Sequence, residues 1–311
     1  MSDSERTAAF MTPAMMGKMA AAPAPVVAPS AQLLRDPPGE VGREAVAHLA
    51  GVRRELEQQV HERDLQPLAS EFQRLHVSLE QLDFEQLRPR GWLARTTGKA
   101  RSAGAEFFQQ YEQAAEAAQA MGKQAAALQK LHVAQVATTE RLLVEMEVEC
   151  SALEQTVEQN ARWLQGVRKE LQQRHASAAD AAAVAIVKED AARCELLVAR
   201  LKTLRAVAAA AQRTLEHARG ALVQRLALLQ TLEQGQARAT RAWNERLSGT
   251  AAAAERGEGG NLSIEAPQEL HHQMQQQVAQ TAQECALVQR HEAALAVELA
   301  ALSQALDDAA A

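Results

Sequence analysis

Between Arg90 and Ala266 the chain runs for 177 residues without a proline, while eight of its nine prolines lie at or before Pro89 and the ninth is Pro267. Proline punctuates loops and breaks helix interiors and central strands, so a loop-rich β or α/β domain of that length would carry several. The gap points instead to long helices. Only 3% of the 311 residues are aromatic and about a fifth are alanine, which excludes a core built on Phe, Tyr and Trp.

The helical pattern can be counted. Leu143, Met146, Cys150, Leu153, Val157, Asn160, Leu164, Val167 and Leu171 alternate steps of three and four, a heptad a/d stripe. Cys194, Leu197, Leu201, Leu204, Ala208, Ala211, Leu215, Ala218 and Leu222 repeat it. This second stripe continues through Leu229, Leu232, Ala239 and Trp243, with interruptions at Arg225 and Gln236. A third runs through Met274, Val278, Thr281, Cys285, Val288, Leu295, Leu299, Leu302 and Leu306. Between the first two, Ser177-Ala-Ala-Asp180 has the S-x-x-D form of a capping box, in which the serine oxygen accepts a first-turn N–H. A helix over 106–175 would be about 105 Å long, and a tight turn near residue 177 makes its successor an antiparallel neighbour.

The expected fold is therefore all-α, an elongated antiparallel coiled-coil helical bundle with a long central hairpin and a disordered N-terminal tail. Residues 1–39 hold six prolines and five of the eight methionines and cannot bury enough apolar surface to offset their ordering entropy. Residues 40–88 form two short helices, one through Val46, Leu49, Val52, Leu56 and Val60, the next opened by Pro67 and carrying Leu68, Phe72, Leu75, Leu79 and Leu82. A basic connector spans 89–105, the hairpin 106–254, a Gly-rich loop 255–266, and a C-terminal helix packing on the hairpin 267–308.

Chemistry is sparse. A net charge of −6 gives no general electrostatic case for nucleic acid. The longest apolar run, Ala181 to Val187, falls far short of the roughly 20 residues that cross a bilayer. Met11 to Pro29 does not read as a secretory signal, because Asp3 and Glu5 stand where a basic start belongs and Lys18 and three prolines interrupt the apolar part. Three widely spaced cysteines make neither a disulfide framework nor a CxxC motif, which fits a reducing, cytoplasmic compartment.

HExxH, paired ExxH, phosphate-cradling glycines and nucleophile elbows do not occur, so no catalytic, cofactor or metal residue is assigned. Cys150, Cys194 and Cys285 all fall on stripe positions. They read either as a thiolate cluster for a soft metal or as small buried apolar residues, and a helical level mismatch of roughly 15 Å between the first two favours the second. Asn160, alone polar in its stripe, reads either as a register-setting residue or as a water-exposed one. Arg88, Arg90, Arg95, Lys99 and Arg101, with Trp92 among them and no acid, form the one local charge anomaly. They read either as a contact for an acidic partner or anionic membrane surface, or as a solvated connector paired with acids such as Glu85 and Glu106.

A basic, Gly-containing connector leads into Phe107-Phe108-Gln109-Gln110-Tyr111, then Met121-Gly122-Lys123 and Leu128, and a long hairpin ends near Trp243. This order resembles the toxic anion (tellurite) resistance family typified by TelA and KlaA, over roughly residues 88–308. A later helix, Arg200 to Gln212, is similar to the one that precedes the family's tryptophan. Departures are Leu131-His132, where the family tends to have Asp-Asn, and Arg241, where it tends to have proline. The resemblance implies a cytoplasmic bacterial protein associated with tellurite and related stress resistance, often encoded with membrane-bound resistance partners; it does not imply an enzyme and carries over no catalytic residues. The expected function is a non-enzymatic helical interaction protein that uses protein partners, with a homo-oligomer and a peripheral membrane contact both open. The alternative is a structural coiled-coil adaptor of an envelope or secretion complex, and a third reading is oxyanion detoxification by thiol chemistry.

Overall fold

The computed structural model describes residues 38–88, 99–178, 180–258 and 262–311, the side chains of residues 99 and 100 excepted. Six α-helices occupy most of them: α1 (Arg43–Glu62), α2 (Gln66–Glu80), α3 (Lys99–Ser177), α4 (Ala181–Gln230), α5 (Ala237–Glu255) and α6 (Glu265–Ala310). Short 3-10 turns lie at Pro38–Glu40 and Phe84–Leu87, and the π-helical turn Thr231–Gln236 carries α4 into α5 with helical dihedrals on both sides. Strands are absent among the described residues, and the long helices pack together as an all-α helical bundle. The expected tail falls almost wholly outside the described residues. No helix among the described residues is long and apolar enough to cross a membrane.

The chain divides into two compact units that share the long helices. The first comprises residues up to Glu57, Ala137–Glu216 and Val297–Ala311. Within it α3 and α4 run antiparallel, with Arg168 paired to Glu195 at 2.8 Å and Arg174 to Asp190 at 4.0 Å. Its core is aliphatic, drawn from Leu49, Leu142, Met146, Leu153, Leu204, Leu215, Leu299 and Leu302, all but Leu142 at counted positions. Arg200 ties two chain segments to α4 by donating to the Val41 carbonyl at 3.0 Å and to the Ala309 carbonyl in the last turn of α6. It thereby satisfies a C-terminal helical carbonyl that has no partner in its own helix.

The second unit comprises Gln58–Val136 and His217–Ala296. Its core adds aromatic side chains to the aliphatic layers: Phe72, Phe84, Phe107 and Trp243 are buried with Leu75, Leu79, Met121, Leu247 and Val278. Phe84 meets Phe107 edge-on at 5.2 Å, and Tyr111 packs on Trp243 at 5.4 Å. Pro67 sits in the first turn of α2, where its missing N–H costs nothing, and Asp64 Oδ1 accepts from the Gln66 N–H at 2.8 Å.

Three local expectations change. Helix α3 begins at Lys99, so the last seven residues of the expected connector are its opening turns. Gly104, within the expected connector, is buried there because α3 approaches the backbone of α5 at Ala254. Ser177 does not cap α4: its hydroxyl turns back to the Gln173 carbonyl at 3.0 Å, and Asp180 takes the capping role by accepting from the Ala183 N–H at 2.7 Å. Leu222, Leu229 and Ala239 are only half-buried, while Ala221 and Leu228 are fully buried. A straight helix drifts by about 20° per heptad against a strict seven-residue repeat, and the π-turn shifts the phase again.

Any Cβ at position 104 would collide with the Ala254 carbonyl oxygen. Gly104→Ala should therefore destabilise the protein by about 1–3 kcal/mol despite alanine's better helix propensity. Urea unfolding measures this, and an unchanged midpoint would contradict the close approach.

Candidate functional site

The second unit contains a buried polar layer to which α1, α3, α4 and α6, with the residue just past α1, each contribute. Arg63 follows the last turn of α1, Gln59 lies one turn before it, His132 and Gln135 come from α3, Arg225 from α4 and Glu292 from α6. All six are at most 8% exposed. Arg63 donates from Nε to Gln135 Oε1 at 2.8 Å and from Nη2 to Gln59 Oε1 at 2.7 Å, while Gln135 donates to Glu62 at 2.7 Å. Glu292 Oε1 accepts from Arg225 through Nε at 3.0 Å and through Nη2, and lies 3.6 Å from Arg63 Nη1. Glu292 Oε2 is buried and finds no hydrogen-bond partner among the described residues.

Two guanidinium groups thus share one carboxylate away from water. Burial first, and then repulsion from Arg225, pull Arg63 down to about 10, against the attraction of Glu292 and Glu62. It is still a cation at neutral pH. His132 is likewise lowered, first by burial and then by the two neighbouring arginines, so it is neutral there. The layer offers fixed positive charge and hydrogen bonds, with no nucleophile–base pair in its contacts.

Periodicity marks this layer only as gaps. Arg225 interrupts the second stripe, and the third stripe steps over Glu292 between Val288 and Leu295. In α1 the expected Val60 is half-buried, and Gln59 with Arg63 takes the inward positions. The missed signal was a basic and an acidic residue, each at a stripe position, on helices that run antiparallel.

A second constellation closes the aromatic cluster. His271 of α6 is 6% exposed; its Nδ1 accepts from Trp243 Nε1 at 3.3 Å, and its ring lies 5.3 Å from Phe84. Burial holds this imidazole down to about 4, opposed by a bond to the Leu79 carbonyl. Beside it a cleft of about 510 Å³ is lined by Asp83, Glu85, Glu265, Glu269 and His272. Among the described residues no group of three His, Cys, Asp or Glu is arranged to hold a metal ion.

Of the expected partner contacts, Arg88 is exposed and pairs with Glu85 at 2.9 Å, and Arg101 is exposed on the first turn of α3. Arg90, Trp92, Arg95 and the Lys99 side chain lie outside the described residues. Asn160 is half-buried and donates to the Thr156 carbonyl of its own helix at 2.8 Å. The three cysteines are buried thiols. Burial raises Cys150 and Cys285 to about 11 and also raises Cys194, so all three stay protonated at neutral pH. In the first unit the Arg168–Glu195 pair sets the register, which separates Cys150 from Cys194 by roughly 28 Å along the helices. No family model, curated protein or solved structure matches the chain.

Removing Glu292 would strip Arg225 of its buried carboxylate partner and leave Arg63 with the weaker attraction of Glu62. Glu292→Leu should cost about 3–5 kcal/mol, whereas Arg63→Met, Arg225→Met and Glu292→Leu together should leave a protein about as stable as the parent. Urea denaturation of both variants checks this, and equal losses in the two would refute a charge-pair origin.

Proposed function

We propose that the chain is a non-enzymatic helical interaction protein of the toxic anion (tellurite) resistance type, working on the cytoplasmic side through protein partners that include membrane-bound resistance proteins. One observation carries the reading: the segments that resemble the family, far apart in sequence, lie in one core. Phe107, Met121, Leu128 and Trp243 are buried together in the second unit, and Tyr111 packs on Trp243 at 5.4 Å. A chance likeness of Ala- and Leu-rich helices would not require the few aromatic positions that carry it to converge.

The raised cysteine thiols weigh against detoxification by thiolate chemistry, since the thiolate is the reactive form. Partner binding accounts better for a bundle whose polar groups are spent on one another.

Deleting the gene in its native cell should lower tellurite tolerance, and complementation with a Cys150→Ala, Cys194→Ala, Cys285→Ala variant should restore it. Unchanged tolerance on deletion would overturn the resistance reading and leave the envelope or secretion adaptor in its place. Failure of the cysteine-free variant, with its fold intact by circular dichroism, would bring thiol chemistry back.

A further inference from the structure

We propose that His271 is an acid-sensitive latch: its neutral ring holds the aromatic end of the second unit closed by accepting from Trp243, and a proton on that nitrogen releases it toward the adjoining carboxylate-lined cleft. The geometry leaves the packed ring only one protonation state. Nδ1 accepts the indole N–H of Trp243 at 3.3 Å, so the one proton of the neutral ring is on the other nitrogen, on the side of the Leu79 backbone. A second proton, on Nδ1, would point at the indole N–H, donor against donor, inside a core where His271 is 6% exposed.

The surroundings prefer the opposite charge a short distance away. From the 3-10 turn the ring faces Phe84, with Asp83 and Glu85 on either side; from α2, the Leu79 carbonyl; from α5, Trp243, with its ring centre at 6.5 Å. Helix α3 contributes Tyr111 against Trp243, and burial raises that phenol further above its ordinary value, well clear of acidic pH. On α6 itself Glu265, Glu269 and His272 line the cleft. The Glu265 carboxyl is held below its usual range, chiefly by a backbone hydrogen bond and one from Ser263, so it stays an anion in mild acid. A released imidazolium would therefore move from a site that cannot accept its proton to one lined by carboxylates.

The sign follows from the two states. The latched ring resists protonation down to about 4, while a solvated one takes a proton near 6.5. Between those values the released state binds a proton that the latched state refuses, so the latch is fully closed above the upper value and weakens as pH falls.

The test uses the full chain with Trp92→Phe and Trp163→Phe, which leaves Trp243 as the sole tryptophan. On acidification from pH 7, Trp243 emission should shift to the red with a midpoint between 4 and 6.5, while the far-ultraviolet helical signal is retained. His271→Gln, whose amide can accept from Trp243 and donate to Leu79 at any pH, should abolish that shift. Constant emission down to pH 4, or the same transition in His271→Gln, would overturn the latch. If that variant does not fold, nitrogen-15 NMR of the His271 ring in the unsubstituted chain decides: a bare Nδ1 persisting well below 6.5 supports the latch, and ordinary titration at 6.5 refutes it.

Discussion

The pairing of Arg63 and Arg225 with Glu292 fixes what the rest of the second unit can do. Leucine and alanine stripes at heptad spacing are nearly degenerate: sliding one helix past another by a heptad returns apolar side chains to apolar positions at little cost. A buried guanidinium removes that freedom. A one-heptad slip of α6 in the second unit would set Arg225 against Cys285 or Leu299 and separate it from Glu292, a penalty of several kcal/mol. Well-packed aliphatic side chains at the same positions would hold the helices together as firmly, so what the charges supply is a unique alignment. That alignment sets Gly104 on the Ala254 backbone, Tyr111 on Trp243 and Trp243 on His271.

How much of this was legible in the sequence follows from what periodicity measures. Counting apolar residues found the helices, their antiparallel order and the burial of Leu153, Leu204 and Leu302, because those positions are inside for the same reason that they are apolar. The count fails where a charge is inside. Arg225 registers as an interruption and Glu292 as a skipped position, and nothing in either helix alone shows that the two are partners. Their pairing appears only once the register is known, and the register is what the pairing sets. Ser177 and Asp180 show a smaller version of the problem. Both residue types cap helices, and the choice turned on whether the serine hydroxyl could instead satisfy a carbonyl at the end of α3.

The scarcity of aromatic residues also takes a different meaning in three dimensions. Of the seven among the described residues, six lie in the second unit, Phe72, Phe84, Phe107, Phe108, Tyr111 and Trp243, and four of those are buried. The same continuous helices therefore run through two kinds of interior. In the first unit aliphatic layers dominate, with polar anchoring from Arg200 on backbone carbonyls and from His48 on the buried Glu149 at 2.9 Å. In the second, aromatic rings and buried charges replace part of the aliphatic seam. Rings with a fixed hydrogen-bond direction tolerate displacement less well than leucines do, since a shifted Trp243 loses both its acceptor and its stacking partner. Specificity of alignment is thus concentrated where the aromatic rings and the buried charges meet. A change of side chain in the second unit should consequently alter how the helices are aligned, whereas a comparable change in an aliphatic layer of the first should alter only how tightly they are held.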